Sequence, residues 1–258
     1  MADLTDVQWE RIKPLVEFGQ RRRADNRGRP WRDARQLLNG VLWVLRTGAP
    51  WHDLPARYGP YQTCHRRFQH WQRSGVLHGI LWALAEDLLA RGQLGLEEAF
   101  IDASFMGAKK GAMAFGRTLI GKGTKLMAIA DRHGLPISLW VASATPHEQK
   151  LVAVTVEHRF VAEKPKRLIA DKGYDSDALD DQLAEQGIEL IAPHRRYRTR
   201  THRQDRRKLR RYKRRWKIER FFAWLKNFRR LMVRWERHCN NFLGMVQLAC
   251  MLILLRHL

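Results

Sequence analysis

Between His194 and Arg237 the chain sets 20 Lys or Arg against three acids, Asp205, Glu219 and Glu236, a local net charge of +17 out of +22 for all 258 residues. A segment this lopsided repels itself unless anions cover it, and a nucleic-acid backbone is the simplest cover. A disordered basic arm is the competing reading. From Tyr212 onward, however, aromatic and aliphatic residues interleave with the cations, and Ile218, Phe222 and Leu225 fall at helical spacing. One long helix is therefore expected from Arg206 to Arg230, with an apolar edge resting on a core.

The rest of the composition narrows the partner. Lys and Arg number 48 against 26 acids, an excess that gains affinity for a polyanion by releasing condensed counterions. An anionic membrane is the other candidate, but no lipidation motif and no charged-then-apolar leader pattern opens the sequence. The longest apolar stretch, Phe242 to Leu255, contains Gln247 and is shorter than the ~20 residues of a spanning helix. It reads as a buried terminal helix. With 45% hydrophobic and 29% charged residues the chain has material for a real core. The three cysteines, Cys64, Cys239 and Cys250, have no metal-type spacing, which argues against Cys-bound zinc and fits a reducing cytoplasm.

The first half reads as helical. Thr5 with Gln8 three residues on makes a capping box ahead of Trp9, Ile12 and Val16. Residues near 20–32, rich in Arg with turn formers, read as a basic linker. Asp33 to Arg46 is amphipathic and stops at Gly48-Ala49-Pro50. A short helix over Trp51–Tyr58, a turn at Gly59-Pro60 and a second helix over Tyr61–Arg73 give a helix-turn-helix. With Cys64, Phe68 and Trp71 inward, Arg66, Arg67, His70 and Arg73 are expected to face outward, where a major groove could receive them. A helical bundle with a solvated basic face fits the same pattern. The tryptophans of this half, among them Trp31 and Trp82, read as core rather than as stacking platforms.

After Gly95 short apolar runs bounded by turns replace the helical period, which places a boundary there: residues 1–95 helical, 96–258 α/β. Strands are expected over Ala99–Asp102, Lys125–Ala130, Pro136–Ala142, Arg167–Ala170 and Ile188–Ala192, with helices over Glu148–Val161 and Ser176–Gln186. The order βββαβαβα describes a mixed sheet flanked by helices. Asp102 and Asp171 then stand at the ends of strands expected to be neighbours. In the long helix Tyr212, Arg215, Glu219 and Lys226 share one stripe, since each residue turns ~100°. Three carboxylates drawn together repel one another, and divalent cations bound through oxygen relieve that repulsion while leaving room for phosphates. Magnesium, with manganese as a substitute and two ions per site, suits in-line displacement at phosphorus. Taken singly, an Asp at a strand end is commonly a turn former, and Glu219 could simply pair with Arg215 or Arg220. His147, after Thr145-Pro146, could approach the metal site or cap a turn. Lys172, beside Asp171, could touch phosphate or screen charge.

At these residues the sequence resembles the bacterial insertion-sequence transposases of the DDE type, within the group named after insertion sequence five. The signature Tyr, two residues, Arg, three residues, Glu, six residues, Lys is met by Tyr212, Arg215, Glu219 and Lys226. Phe100-Ile101-Asp102-Ala103-Ser104 and Ala170-Asp171-Lys172-Gly173-Tyr174-Asp175-Ser176 resemble the blocks carrying the first two catalytic acids. In the first half Leu4 to Trp9, Arg46 to Trp51 and Asp53-Leu54-Pro55 extend the likeness. The resemblance implies a ribonuclease H-like catalytic domain with Asp102, Asp171 and Glu219 as metal ligands and Arg215 and Lys226 on DNA phosphates; Tyr212 would contact DNA or pack. It further implies recognition of terminal inverted repeats, strand cleavage by water and attack of the freed 3′-hydroxyl on target DNA. A DNA-bound homodimer acting in the bacterial cytoplasm at the nucleoid follows from the need to pair two ends. A nuclease of the same fold without strand transfer, and a non-enzymatic DNA-binding regulator, are the alternatives.

Overall fold

The computed structural model describes residues 3–17, 31–109, 116–118, 121–195 and 207–257. The expected basic linker falls outside them up to residue 30, as do residues 196–206 of the cationic run.

Helix α1 (Asp6–Glu17) opens as its sequence prescribes: the Thr5 hydroxyl accepts from the Gln8 amide and the Gln8 side chain accepts from the Thr5 amide, both at 3.2 Å. Helix α2 (Ala34–Thr47) is capped by Asp33, whose carboxylate accepts from the Gln36 amide at 2.6 Å, and ends at Gly48 with φ 71°. The expected single helix over Trp51–Tyr58 is instead two 3₁₀ turns, Trp51–Asp53 and Ala56–Tyr58. Leu54-Pro55 lies between them in extended backbone, since the residue before a proline is pushed out of the helical region. Helices α3 (Tyr61–Arg73) and α4 (Val76–Ala90) complete this region. Cys64, Phe68 and Trp71 of α3 point into the core as expected, but Arg67 is buried with them.

The α/β region begins with β1 (Ala99–Gly107), the short β2 (Gly116–Thr118), β3 (Gly121–Asp131) and β4 (Pro136–Ser143). A 3₁₀ turn (Glu148–Leu151) leads to α5 (Val152–Glu157), followed by β5 (Arg167–Ile169), α6 (Asp177–Ala184) and β6 (Glu189–Ile191). The main strands lie in the order β4-β3-β1-β5-β6, with β2 pairing the first residues of β3 beside β4. β1, β3 and β4 are antiparallel, whereas β5 runs parallel to β1 and β6 parallel to β5. This is the ribonuclease H-like arrangement that the sequence resemblance implied, joined to a helical N-terminal region. Asp131 fixes the β3–β4 turn: its buried carboxylate accepts from the amides of Gly95, His133 and Leu135 at 2.8–2.9 Å.

The long helix expected over Arg206–Arg230 is divided into a 3₁₀ segment (Lys208–Arg214), α7 (Trp216–Lys226) and α8 (Arg229–Met232). Acids at the edge of the sheet account for the first piece. Arg211 and Arg214 both donate to buried Glu98, at 2.8 and 2.6 Å, and Lys208 pairs with Glu189. A 3₁₀ turn eclipses residues i and i+3, which lets both guanidinium groups meet one carboxylate. The apolar edge of α7 behaves as its spacing requires, with Ile218, Phe222 and Leu225 buried and Phe221 beside them.

Helix α9 (Cys239–Leu254) lies at the centre of the molecule, packing on α2, α3, α4, α7, α8 and β4. Gly244 permits its close approach to α3: a Cβ there would come within 3.0 Å of the Phe68 ring and 2.9 Å of Gln72. The run Cys239–His257 is long and apolar enough to cross a membrane, yet most of it is buried inside the molecule, as expected of a core helix. The chain reaches α9 through a buried ion pair, Arg230 Nε donating to Glu236 Oε1 at 2.7 Å, and Arg230 also donates to the Ala49 carbonyl beyond the end of α2 at 3.1 Å. Removing one member of such a pair strands a buried charge. Glu236→Ala is expected to cost about 3–5 kcal/mol of stability, read as a lowered urea midpoint; an unchanged midpoint would show the pair to be dispensable.

Candidate active site

The pairing of β1 with β5 aligns Ala99 with Leu168 and Phe100 with Ile169. Two residues on in each strand stand Asp102 and Asp171, so continuing the same register sets the two acids side by side on the face that carries Phe100 and Ile169. Asp102 lies within β1. Asp171 lies just past β5, where its Oδ1 accepts from the Gly173 amide at 2.7 Å and caps the 3₁₀ turn Lys172–Tyr174.

Helix α7 covers this face. Lys217 stands 5.8 Å from the Phe100 ring centre, and Arg215, at the N-cap of α7, reaches Asp102 Oδ2 at 2.9 Å and Glu219 Oε1 at 3.2 Å. One guanidinium therefore bridges two of the three acids. Burial works against its charge, but Asp102, Tyr212, Asp171 and Glu219 together hold Arg215 above its ordinary pKa. Burial also pushes the Asp102 carboxyl up. Arg215 and the Ala103 amide oppose that shift, while Asp171 and Glu148 add to it.

Glu148, which the sequence reading passed over beside His147, is thus part of the centre. It stands in the 3₁₀ turn after β4, 3.6 Å from the Lys125 ammonium. Tyr174, fully buried, lies against the same acids; burial raises its pKa first, and Glu148, Asp102 and Asp171 raise it further. The signal for Glu148 was its position directly after the third main strand. Tyr174 lies within the block that carries Asp171, but the sequence assigned it no role, since its place depends on the loop after β5. That loop is held from two sides: Gln149 donates to the Gly173 and Asp175 carbonyls at 2.8 and 3.3 Å, and Arg195 donates to the Lys172 and Gly173 carbonyls at 3.3 and 3.0 Å. Asp175 meets His194 Nδ1 at 2.9 Å.

The remaining expected site residues scatter. His147 Nδ1 accepts from the Gln149 amide at 3.4 Å, the turn-capping role of the two considered. Lys172, next to Asp171, and Lys226, in the last turn of α7, are exposed. Tyr212 is half-buried in the 3₁₀ segment with Arg215 5.9 Å from its ring centre, so the expected continuous helical stripe is broken between them. In α3, Arg66, His70 and Arg73 are exposed, but Arg67 turns inward to 6% exposure, against the outward placement read from the helical wheel. The reason is Trp31, half-exposed rather than core, whose ring lies 3.8 Å from the Arg67 guanidinium.

The donor chemistry fits a hard divalent cation, being carboxylate oxygens on neighbouring strand ends that already disfavour one another's charge. Among the described residues no three His, Cys, Asp or Glu side chains converge closely enough to hold a metal. In this arrangement the guanidinium of Arg215 serves as the shared cation instead.

Residues 95–254 match the family model described as “Transposase DDE domain”, and residues 4–81 match “Putative transposase of IS4/5 family”. The chain is 36% identical over 117 residues to “Insertion element IS402 uncharacterized 16.2 kDa protein” of Burkholderia cepacia, 45% of this chain and 80% of that protein. It is 28% identical over 139 residues to “Putative transposase for insertion sequence element IS402” from the same organism, 51% of this chain and 62% of that one. Among solved structures, the piggyBac transposase synaptic complex with hairpin DNA aligns at 13% identity and a TM-score of 0.38, over 79% of this chain and 52% of that one. The Mos1 strand transfer complex aligns at 13% and 0.29, over 80% and 79%.

The electrostatics of the centre can be tested without any activity assay. Arg215→Ala removes the cation 2.9 Å from Asp102 and is expected to raise the Asp102 pKa further, read by carboxyl-carbon NMR titration of metal-free protein. An unmoved titration would show that Arg215 does not oppose the upward push of burial on Asp102.

Proposed function

The chain belongs to the DDE transposase domain family, and from that premise we propose that it binds the terminal inverted repeats of its insertion sequence and catalyses metal-dependent strand cleavage and strand transfer. The observation that carries this reading is the single guanidinium shared by Asp102 and Glu219, with Asp171 following the strand that pairs with β1. Asp102, Asp171 and Glu219 would hold two Mg²⁺ ions, or Mn²⁺ in their place. Such ions supply Lewis acidity that lowers the pKa of an attacking water or 3′-hydroxyl and neutralises the departing oxygen.

The chain's own residues do the rest. Arg215 opposes the upward push of burial on the Asp102 carboxyl and, on swinging from the acids to a scissile phosphate, exchanges one anionic partner for another. That exchange frees Glu219 to approach the aspartates. The exposed Lys226 and Lys172 would contact the strand leading to the cut, with Tyr212 alongside. The helical region before residue 96 would carry end recognition, with Arg66, His70 and Arg73 on the open face of α3. Pairing two element ends calls for a homodimer on the DNA, working in the cytoplasm at the nucleoid.

Asp102→Asn, Asp171→Asn and Glu219→Gln are each expected to lower Mg²⁺-dependent cleavage of the element's own ends by about a hundredfold or more while retaining end binding, the scale for losing one preorganised electrostatic contact. Gel assays on end-containing duplexes read both quantities. Pre-cut ends bearing a free 3′-hydroxyl are expected to join a second duplex; cleavage without any joining would favour a nuclease, and cleavage unaffected by Asp102→Asn would place the chemistry elsewhere.

A further inference from the structure

Beside α3, away from the acids, lies a cavity of roughly 430 Å³, lined among others by Trp31, Arg32, Thr63, Arg66, Arg67 and His70. Its size is that of a small-ligand site, about 300–1,000 Å³. Pro60 also lines it, and among the described residues no acid does. Three arginines therefore line one space, and among the described residues no Asp or Glu lines it with them.

Arg67 is the unusual member. It is 6% exposed, and its Nη1 is buried without a hydrogen-bond partner. Its guanidinium stacks 3.8 Å from the centre of the Trp31 ring and lies 5.9 Å from that of Trp71. Aromatic faces offset part of the cost of burying a cation but accept no conventional hydrogen bond. A buried charged donor left without an acceptor is costly, and the residue that carries it lines the cavity.

We propose that this cavity seats one phosphate of the DNA backbone together with its deoxyribose. The phosphate oxygens would take the free Nη1 of Arg67 and the guanidinium groups of Arg32 and Arg66, and the sugar would lie against the half-exposed Trp31. The planar fork of arginine matches phosphate geometry. The site reads no base; it fixes where along the backbone α3 docks, as phosphate contacts do. This rests on the DNA-binding reading above and adds a particular seat to it. A free nucleotide or inorganic phosphate offers the same chemistry from another source.

The test uses the full chain. Binding to a short labelled duplex is measured over a range of salt for the wild type, Arg67→Gln and the rim double variant Arg32→Gln/Arg66→Gln, with circular dichroism confirming the fold. The rim variant keeps the test decisive should Arg67→Gln fail to fold. Arg67→Gln is expected to weaken binding about tenfold or more on any duplex sequence, and to lower the slope of log affinity against log salt by about 0.9. Equal affinity and slope in wild type and variants would overturn the seat while leaving DNA binding intact. A wild type that binds no duplex at all would overturn the DNA reading itself. In parallel, tryptophan fluorescence is titrated with inorganic phosphate and with thymidine monophosphate. Saturable quenching lost in Trp31→Phe, with no change in the duplex salt slope, would assign the cavity to a free ligand and overturn the backbone seat.

Discussion

The centre depends on the parallel pairing of β1 with β5. Antiparallel neighbours can be joined by a tight turn, but a parallel pair needs a crossover, here the long path through β3, β4 and α5. Only once that path has closed do Asp102 and Asp171, distant in sequence, become neighbours in register. The pairing sets two anions side by side in a half-buried place, which by itself opposes folding. Arg215 answers that cost from α7, and the same guanidinium draws in Glu219, so the acids and the helix above them form one electrostatic unit.

Much of this was legible in the sequence because it is local. The capping box at Thr5 and Gln8, the limits of α3, the turn at Asp131 and the inward edge of α7 follow from spacing over a few residues. What was not legible depends on partners far along the chain. The break of the expected long helix into a 3₁₀ segment and α7 is set by Glu98 and Glu189 at the sheet's edge. Arg67 turns inward because Trp31 supplies a face to stack on, which no helical wheel of α3 contains. Glu148 and Tyr174 join the acids only because the segment after β4 folds back on the loop after β5, through Gln149. The three acids themselves were named from strand ends and motif spacing, and whether they close on common ions is a matter of distances that sequence does not encode.

The charge count also has to be read with the structure. Arg211, Arg214 and Lys208 neutralise acids of the sheet, Arg230 pairs with Glu236, and buried Arg234 donates to Thr124 at 2.6 Å. A good part of the cationic run thus builds the fold, and the field offered to a polyanion comes from fewer side chains than the composition suggests.

Helix α9 touches both the helices that surround α3 and the edge strand β4, and at Gly244 the backbone comes so near α3 that no side chain fits between. That close contact joins the helical region to the sheet through one helix. If α3 holds the duplex, as proposed above, its grip is tied through α9 to the same sheet that carries the acids.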